Sequence, residues 1–230
     1  MGFLDFVFPK RCVVCRKFGG YLCENCFINL SFDVKTLCLV CDKPSFNGLT
    51  HPVCKSKFAI DGCFSALVYN KTAQKLIYKF KYNPFLTDLK IVLGDLFFES
   101  IIQNENFIKQ TTRGEWLVVP IPLSSSRLRK RGYNQSEILA KELSKKLDFQ
   151  TVNLLKRVKD TKTQVGLSNI KRKANVKGAF QILNPKSIIL NQNILLVDDV
   201  LTTGSTLKEA AKVLKKHRAR RVFGLTLARD

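Results

Sequence analysis

Cysteine is absent from most of this chain, because all eight cysteines lie within the first 63 of its 230 residues. Acidic residues are also scarce, with 18 Asp and Glu against 39 Lys and Arg and a formal net charge of +21. No apolar run approaches the roughly 18 residues that a membrane span requires. The opening residues MGFLDFVFPKRC include an acid within a short apolar run and lack a small-residue cleavage site, which argues against a secretory signal. We therefore predict a cytoplasmic protein without a transmembrane segment.

The excess of positive charge favours anionic partners. Nucleic acid, phosphorylated small molecules and anionic membranes all fit a net charge of +21. A general contribution to solubility is the alternative, and charge alone does not exclude it.

The cysteines and the charge lie in different parts of the chain. Residues 1–60 contain 8 Lys and Arg and 4 Asp and Glu, a net charge of +4, whereas residues 61–230 contain 31 and 14, a net charge of +17. We predict two units, a cysteine-rich unit at 1–60 and a larger unit at 61–230.

The first unit contains four pairs of metal-ligand residues, and two residues separate the members of each pair. A tight turn of this spacing can direct both side chains at one ion, and two facing pairs complete a tetrahedron. A disulfide framework is the first alternative, but no secretory signal supports an oxidising compartment. Buried free thiols are the second alternative, but they would not recur in four such pairs.

We predict a double zinc ribbon with two structural zinc sites, because a unit this small has little core of its own. The ligands of the first site are Cys12, Cys15, Cys23 and Cys26. The ligands of the second site are Cys38, Cys41, His51 and Cys54. Cys63 could replace His51 as the fourth ligand of the second site, although it is more typical of a small core residue.

Strand-like and helix-like patterns alternate after residue 60. This alternation predicts an α/β fold with a mainly parallel sheet flanked by helices. The strand-like segments are 64–69, 116–122, 193–200 and 222–228. The helical segments are 73–82, 88–103, 134–147 and 206–216.

The third of these strands, NILLVDDV, ends in two adjacent acids, Asp198 and Asp199. The carboxyl ends of parallel strands are where open α/β sheets bind ligands. Carboxylates there can accept hydrogen bonds from sugar hydroxyls or hold a hydrated Mg²⁺.

A turn rich in hydroxyl groups follows the acids. Gly204 lets this turn bend tightly, and the free N–H groups at the start of the next helix favour a phosphate. Helix capping would explain one aspartate and one threonine but not the whole set. Two common phosphate motifs, GxxxxGK[ST] and GxGxxG, are missing near a strand end. The two acids and this hydroxyl-rich turn together predict a ribose 5-phosphate site. Its residues are Asp198, Asp199, Thr202, Thr203, Gly204, Ser205 and Thr206.

The stretch LLVDDVLTTGST resembles the motif with which type I phosphoribosyltransferases bind phosphoribosyl pyrophosphate (PRPP). The chain as a whole is similar to the ComF family of competence proteins. The similarity covers the paired-cysteine head, LIYKFKY at 76–82, VVPIPLSSSRLRKRGYNQ at 118–135, QVGLSNIKRKANVKGAF at 164–180 and the PRPP motif.

The resemblance implies roles for individual residues. Asp198 and Asp199 would hold the ribose hydroxyls, and residues 202–206 would bind the 5-phosphate. The loop at 123–127 would bind pyrophosphate together with Mg²⁺, through Ser124, Ser125, Ser126 and Arg127. Segment 156–177, with eight Lys and Arg against one acid, would be a mobile loop in which Gln164 and Arg172 are the best candidates. The expected catalytic residues are Asp198, Asp199 and Arg172.

Two functions are consistent with this resemblance. The first is PRPP-dependent transfer to an acceptor that the sequence does not identify, in natural competence or in nucleotide salvage. The second is the handling of single-stranded DNA with partners from the competence machinery. Basic segments at 127–131, 156–177 and 212–221 would contact the DNA. Four aromatic residues could stack on bases or belong to the core: Phe80, Tyr82, Phe85 and Tyr133.

Overall fold

The computed structural model describes residues 9–82, 88–112, 114–160, 176–183 and 189–230. The strands within these ranges are β1 (Gly62–Val68), β2 (Trp116–Pro120), β3 (Gln150–Thr151), β4 (Leu155–Arg157), β5 (Phe180–Ile182), β6 (Asn193–Leu201) and β7 (Arg221–Arg229). The helices are α1 (Glu24–Phe27), α2 (Lys71–Tyr82), α3 (Leu89–Ile102), α4 (Glu105–Thr111), α5 (Ser125–Arg131), α6 (Gln135–Leu147) and α7 (Ser205–Lys216).

Five strands form one sheet in the order β1-β7-β6-β2-β3, and every neighbouring pair is parallel. β6 lies at the centre, where Val197 is opposite Pro120 of β2 and Leu225 of β7. Parallel neighbours require crossover connections, which the helices provide. The prediction of a mainly parallel α/β fold is confirmed.

Alternate residues of the central strand pack on opposite faces of the sheet. Leu195 and Val197 belong to an apolar cluster that includes residues of α2, α3 and α6. Ile194 and Leu196 belong to a second cluster that includes residues of α7. Because side chains alternate along a strand, a strand buried on both faces must be apolar at successive positions, as Ile194 to Val197 are.

The predicted elements agree with the observed ones apart from their ends. The strand expected at 116–122 ends at Pro120, and the strand expected at 193–200 continues to Leu201. The short elements were not predicted, because two to seven residues show too little periodicity. These are α1, α4, α5, β3, β4 and β5.

In residues 9–60 the regular elements are α1 and two short 3-10 turns, Phe46–Gly48 and Pro52–Cys54. The chain there is instead organised by tight turns. The backbone N–H of Arg16 donates to the carbonyl of Cys12 at 2.8 Å, and that of Asp42 donates to the carbonyl of Cys38 at 2.9 Å. Both Arg16 and Asp42 have positive φ values, 71° and 60°. The two turns are therefore closely similar in backbone geometry.

β4 and β5 form a separate antiparallel ribbon in which Arg157 lies opposite Phe180. Strand β4 contains the start of the segment predicted as a mobile loop, 156–177, and β5 follows its end. Residues 161–175 of that segment, including Gln164 and Arg172, lie outside the described residues. None of the helices in the described ranges is both long enough and apolar enough to cross a membrane.

Candidate functional site

The first predicted set of zinc ligands converges on one point. The Sγ atoms of Cys12, Cys15, Cys23 and Cys26 all lie within 4.8 Å of one another. Zn–S bonds of about 2.3 Å in a tetrahedron separate the sulfur atoms by roughly 3.8 Å. The four thiols therefore fit a tetrahedral zinc ion.

The second set also converges, with three Sγ atoms and a ring nitrogen within 4.8 Å of one another. His51 Nδ1 lies 3.3 Å from Cys41 Sγ, and its Nε2 lies 2.9 Å from the carbonyl oxygen of Pro44. A carbonyl oxygen can only accept, so Nε2 carries the proton, and the lone pair of Nδ1 would be available to a metal ion. Such a contact behind the metal-binding nitrogen is usual for histidine ligands.

Cys63 does not take part in the second zinc site. Its side chain is 4% exposed and belongs to the apolar cluster on the α7 face of the sheet. Burial raises the pKa of the Cys63 thiol to about 12, which keeps it protonated. Of the two alternatives for the fourth ligand, the structure selects His51.

The ionisation of the clustered thiols also favours a cation. Burial raises the pKa of Cys12, but backbone N–H groups around the site outweigh burial and lower the pKa to about 6. Burial and the neighbouring sulfur atoms raise the pKa of Cys26 to about 12. Four adjacent thiols thus cannot all ionise together unless a positive ion offsets their charge, which Zn²⁺ does.

The carboxyl end of β6 opens into a cavity of about 540 Å³. Both acids and the whole polar turn at 202–206 line this cavity. Basic and aromatic side chains from other elements complete the lining, including Tyr78, Lys81, Tyr82, Arg127, Arg131 and Arg157. The two halves of the predicted sugar-phosphate site therefore face the same space.

Asp198 is held by two hydrogen bonds to its Oδ1 atom. Ser136 Oγ donates at 3.0 Å and the backbone N–H of Asp199 donates at 2.9 Å. Burial, followed by the adjacent Asp199, raises the pKa of Asp198 to about 7. Asp198 is therefore fixed in position, and its carboxyl keeps its proton to a higher pH than an exposed aspartate does.

Asp199 forms an ion pair with Lys81 of α2, whose Nζ lies 2.9 Å from Asp199 Oδ1. The two side chains are only 20% and 14% exposed. Burial lowers the pKa of Lys81, but Asp199 outweighs burial, so that the pKa is raised. Lys81 lies in the LIYKFKY stretch, and sequence reasoning did not assign it a role in the site.

The polar turn is preorganised by its own hydroxyl groups. Gly204 has φ of 65°, a left-handed conformation that favours glycine. The Oγ atoms of Thr203 and Ser205 lie 2.8 Å apart. The N–H groups of residues 205–207 begin α7 and have no partner within the helix, as at any helix N-terminus. The turn is therefore suited to bind an anion.

The predicted pyrophosphate loop is only partly directed at the cavity. Arg127 lines the cavity, whereas Ser124, Ser125 and Ser126 do not. Ser126 Oγ instead donates to Asp160 Oδ1 at 2.6 Å. Hydrogen bonds from Ser124 and Ser126 lower the pKa of Asp160. Asp160, which belongs to the predicted mobile segment, thus accepts hydrogen bonds from the serine hydroxyl groups that were predicted to bind pyrophosphate.

Three arginines and one lysine line the cavity together with three acids, Asp198, Asp199 and Asp230. Burial and then Arg131 lower the pKa of Arg127, and burial and then Arg127 lower the pKa of Arg157. Arginine binds polyanions such as pyrophosphate in bidentate fashion. Arg157 belongs to β4, and its sequence context identifies it only as one of many charges in segment 156–177.

The RGYNQ stretch is the scaffold of the site. Arg131 donates to Gln135 Oε1 at 2.8 Å, and its guanidinium lies 5.1 Å from the centre of the Tyr82 ring. Tyr133 OH donates to the carbonyl of Phe80. Asn134 donates to the carbonyl of Ile121 at 3.0 Å and accepts from the N–H of Ser136 at 3.2 Å. The stretch thereby connects α2, the end of β2 and the start of α6 beside Asp198.

Of the two alternatives for Phe80, base stacking or the core, the structure supports the core, where Phe80 is 4% exposed. Tyr133 is committed through its hydroxyl to the Phe80 carbonyl. Tyr82, which is 49% exposed, packs against Tyr78, which is 61% exposed, with ring centres 4.8 Å apart. Phe85 lies outside the described residues.

Comparisons with known proteins agree with this architecture. The phosphoribosyl transferase domain family matches residues 131–229, and the double zinc ribbon domain family matches residues 3–56. A solved hypoxanthine phosphoribosyltransferase from Staphylococcus aureus is 18% identical and covers 61% of this chain and 65% of its own, with a TM-score of 0.38, too low to show a shared fold by itself. The protein combines a phosphoribosyltransferase-like domain with a double zinc ribbon.

Two curated relatives extend along almost the whole chain. Competence protein F of Haemophilus influenzae is 33% identical over 87% of this chain and 93% of its own. DNA utilization protein YhgH of Escherichia coli K12 is 30% identical over 92% of this chain and 93% of its own. The chain therefore belongs to the ComF family of competence proteins.

Proposed function

We propose that the protein binds PRPP in the cavity at the end of β6. Asp198 and Asp199 accept hydrogen bonds from the ribose hydroxyls, and the turn at 202–206 binds the 5-phosphate. Arg127 and Arg157 bind the pyrophosphate. The observation that carries this proposal is that both acids, the polar turn and these arginines line one cavity of about 540 Å³.

Mg²⁺ fits the same site. It prefers oxygen ligands and is commonly held by one or two carboxylates, several waters and the phosphates of a substrate. Asp198 and Asp199 are the carboxylates at the end of β6 that can serve it. When bound, the ion neutralises the charge of the departing pyrophosphate.

The chemistry that we propose is displacement at the anomeric carbon of PRPP. The bond from that carbon to the pyrophosphate oxygen breaks, and pyrophosphate takes the electron pair. A bond to the acceptor forms, and the acceptor loses its proton to solvent. The side chains of the cavity position the ribose and stabilise the charge that develops on pyrophosphate.

Isothermal titration with PRPP and Mg²⁺ tests this assignment. Asp198→Asn combined with Asp199→Asn should abolish measurable binding, whereas Asp95→Asn, which removes a remote acid paired with Lys146, should leave binding unchanged. Wild-type affinity in the double variant would refute the assignment of the ribose site.

The two ends of PRPP can be tested separately. Ribose 5-phosphate should lose affinity in the Asp198→Asn and Asp199→Asn variant but not in Arg127→Ala. Inorganic pyrophosphate with Mg²⁺ should show the opposite pattern, because its charge interacts with the arginines. Equal losses for both ligands in both variants would contradict the proposed orientation.

We also propose that the protein handles single-stranded DNA in natural competence, together with competence-machinery partners. Relatives named for competence and DNA utilization and a net charge of +21 support this role. The exposed pair Tyr78 and Tyr82 at the cavity, with Arg131 against Tyr82, provides a surface for base stacking. We place this activity in the cytoplasm, where cysteine ligands stay reduced.

Not all of the basic residues are available to DNA. In segment 212–221, Lys215 pairs with Asp61 at 2.7 Å, and the Arg221 guanidinium lies 4.8 Å from the centre of the Trp116 ring. Arg129 and Lys130 on α5 are exposed. Lys212, Lys216, Arg218 and Arg220 of segment 212–221 are exposed as well. We place the DNA contact at α5 and the tyrosine pair because exposed aromatic rings lie beside basic residues there.

Fluorescence anisotropy with a labelled single-stranded oligonucleotide tests this placement. Tyr78→Ala combined with Tyr82→Ala should weaken binding by about tenfold or more, since a stacked base contributes about 1–3 kcal/mol. Phe46→Ala, which removes an aromatic ring that is 82% exposed on the zinc-binding head, is the matched control. Affinity that does not fall with rising salt would count against the basic surface.

A further inference from the structure

The second zinc site contacts the polar turn at 202–206, which we call the phosphate turn from here on, directly through Leu39. This residue follows Cys38 in the turn between two zinc ligands, and we refer to residues 38–41 as the second knuckle. Leu39 is 1% exposed and shares an apolar cluster with Leu201 and Leu207, which flank the phosphate turn. A metal-binding turn thus contributes a core side chain to the sugar-phosphate site.

The contact is made at the tightest point of the phosphate turn. A Cβ placed on Gly204 would lie 3.1 Å from Leu39 Cδ2 and 3.3 Å from its Cδ1. These distances show that the isobutyl group packs against the Cα of Gly204. Because Gly204 also has φ of +65°, both the conformation of the turn and the space beside it favour glycine.

A hydrogen bond adds to the packing. Lys208 Nζ donates to the carbonyl oxygen of Leu39 at 2.6 Å, and the backbone N–H of Lys208 donates to the carbonyl oxygen of Gly204 at 2.9 Å. Lys208 therefore joins the second knuckle to the first turn of α7, where the phosphate would bind.

The position of Leu39 depends on the metal site. Cys38 and Cys41 must both point at the ion, and this requirement fixes the backbone of the two residues between them. Backbone hydrogen bonds also support this turn, since the N–H of Cys38 donates to the carbonyl of Lys43 and the N–H of Asp42 donates to the carbonyl of Cys38, both at 2.9 Å. Zinc therefore fixes the knuckle together with these contacts.

We propose that zinc at the second site positions the phosphate turn, so that occupancy of this site sets the affinity for PRPP while the first site does not. This inference rests on the proposed function, since it concerns binding at the same cavity. Leu39 acts as a positioning residue, because it contacts the turn rather than the ligand. Small displacements of binding groups are costly, and about 1 Å can change rates by roughly 100-fold.

The chain offers matched controls for Leu39. Val13 occupies the corresponding position of the first knuckle, residues 12–15, and is 8% exposed in the cluster on the opposite face of the sheet. Val40 lies beside Leu39 in the same knuckle but is 40% exposed. Neither Val13 nor Val40 lines the cavity.

The experiment is a PRPP and Mg²⁺ titration of Leu39→Ala, Val13→Ala and Val40→Ala, with the zinc content of each variant measured in parallel. We expect about tenfold weaker PRPP binding in Leu39→Ala alone, with two zinc ions retained by all three. Leu39→Met, which keeps the volume, should restore most of the affinity. Wild-type PRPP affinity in Leu39→Ala, or an equal loss in Val13→Ala, would overturn the proposal.

A second readout does not require PRPP and separates this inference from the proposed function. Hydrogen exchange of a peptide containing residues 202–206 should become faster in Leu39→Ala than in Val13→Ala in the absence of any ligand. If the wild type bound no PRPP and the exchange still differed, the proposed function would fail and the coupling would stand. Equal exchange in both variants would refute the coupling whatever the outcome with PRPP.

Discussion

The residue after the first cysteine of each zinc site is buried, yet the two residues reach different parts of the molecule. Val13 of the first knuckle packs in the cluster that includes residues of α2, α3 and α6. Leu39 of the second knuckle packs in the cluster that contains Leu207 of α7 and lies against Gly204. The backbone of the two turns is similar, with the N–H of Arg16 and of Asp42 bonded to the carbonyl four residues earlier.

The two zinc sites therefore show that sites with similar ligand geometry can have different roles in the molecule. A structural zinc ion stabilises its own turn wherever that turn lies. What it does beyond this depends on the surface against which the turn packs. The first site packs beside helices of the core, whereas the second packs beside a turn suited to bind an anion.

Loss of one zinc ligand in each knuckle should give the largest effects. Cys15→Ser and Cys41→Ser remove the second cysteine of the first and second knuckle, and each should lose about one zinc ion. Both should lower the free energy of unfolding by on the order of 4 kcal/mol, since loss of a metal is among the most damaging changes. Denaturation in zinc-buffered solution measures this loss.

PRPP titration of the same two variants then sharpens the comparison. Cys41→Ser should bind PRPP more weakly than Cys15→Ser by about tenfold, because only the second knuckle contacts the phosphate turn. Similar PRPP affinities in the two variants would show that both zinc sites act through stability alone.

Gly204→Ala should cause the next largest loss in the free energy of unfolding. The left-handed conformation costs an alanine about 1–2 kcal/mol, and the new Cβ would in addition press on Leu39. Gly132→Ala is the control, since Gly132 has φ of +79° but lies in open space, with no described residue beyond its chain neighbours within 4 Å of an added Cβ. Urea denaturation should therefore show a larger destabilisation for Gly204→Ala.

Adding Leu39→Ala to Gly204→Ala tests their contact. The double variant should lose less free energy of unfolding than the two single variants lose in total, because the smaller side chain at position 39 makes room for the new Cβ at position 204. Strict additivity would indicate that Leu39 and Gly204 do not interact in solution.

Part of the pH dependence of stability should come from Asp198 in the cavity. The pKa of Asp198 is raised from 3.8 to about 7 in the folded protein, so between these values the folded state holds a proton that the unfolded chain has lost. Its contribution to stability is therefore complete below the unfolded value and disappears as the pH rises through the folded one. Asp198→Asn should flatten this decline in thermal denaturation curves, whereas Val13→Ala should keep it.

The smallest effect should be that of substituting Asp160, which belongs to neither knuckle, on the affinity for pyrophosphate. Its carboxylate accepts a hydrogen bond from Ser126 in the loop predicted to bind pyrophosphate. Removing this charge with Asp160→Asn should strengthen pyrophosphate binding by roughly twofold to fivefold, as expected for an exposed charge. Glu105→Gln, at another exposed position, should leave the affinity unchanged, and weaker binding in Asp160→Asn would contradict this interpretation.

Much of the architecture could be predicted because its signals are local. The zinc ligands follow from paired spacing, and the apolar run before Asp198 identifies a strand buried on both faces. The boundary near residue 60 remains a prediction, and apolar contacts run across it: Leu39 and Ile60 pack with residues of the sheet and α7. The assignment of Gln164 and Arg172 also remains a prediction.

Lys81, Arg157 and Ser136 could not be assigned to the site from the sequence. Lys81 is one of several lysines in its helix, and Ser136 follows a helix cap like many other serines. Each gains its role from a partner that is distant along the chain, as with Lys81 and Asp199, 118 residues apart. A signal did exist for Lys81, since it lies in a stretch that contributed to the family resemblance.

The sequence by itself determined which residues can hold zinc, which segments form the parallel sheet and which strand ends in two acids and a hydroxyl-rich turn. Those properties depend on spacing and periodicity over a few residues. The tertiary structure alone decided that Lys81 neutralises Asp199 and that Leu39 lies against Gly204. The physical reason is that strand order and packing bring together groups far apart in the chain, such as Lys208 and Leu39, separated by 169 positions.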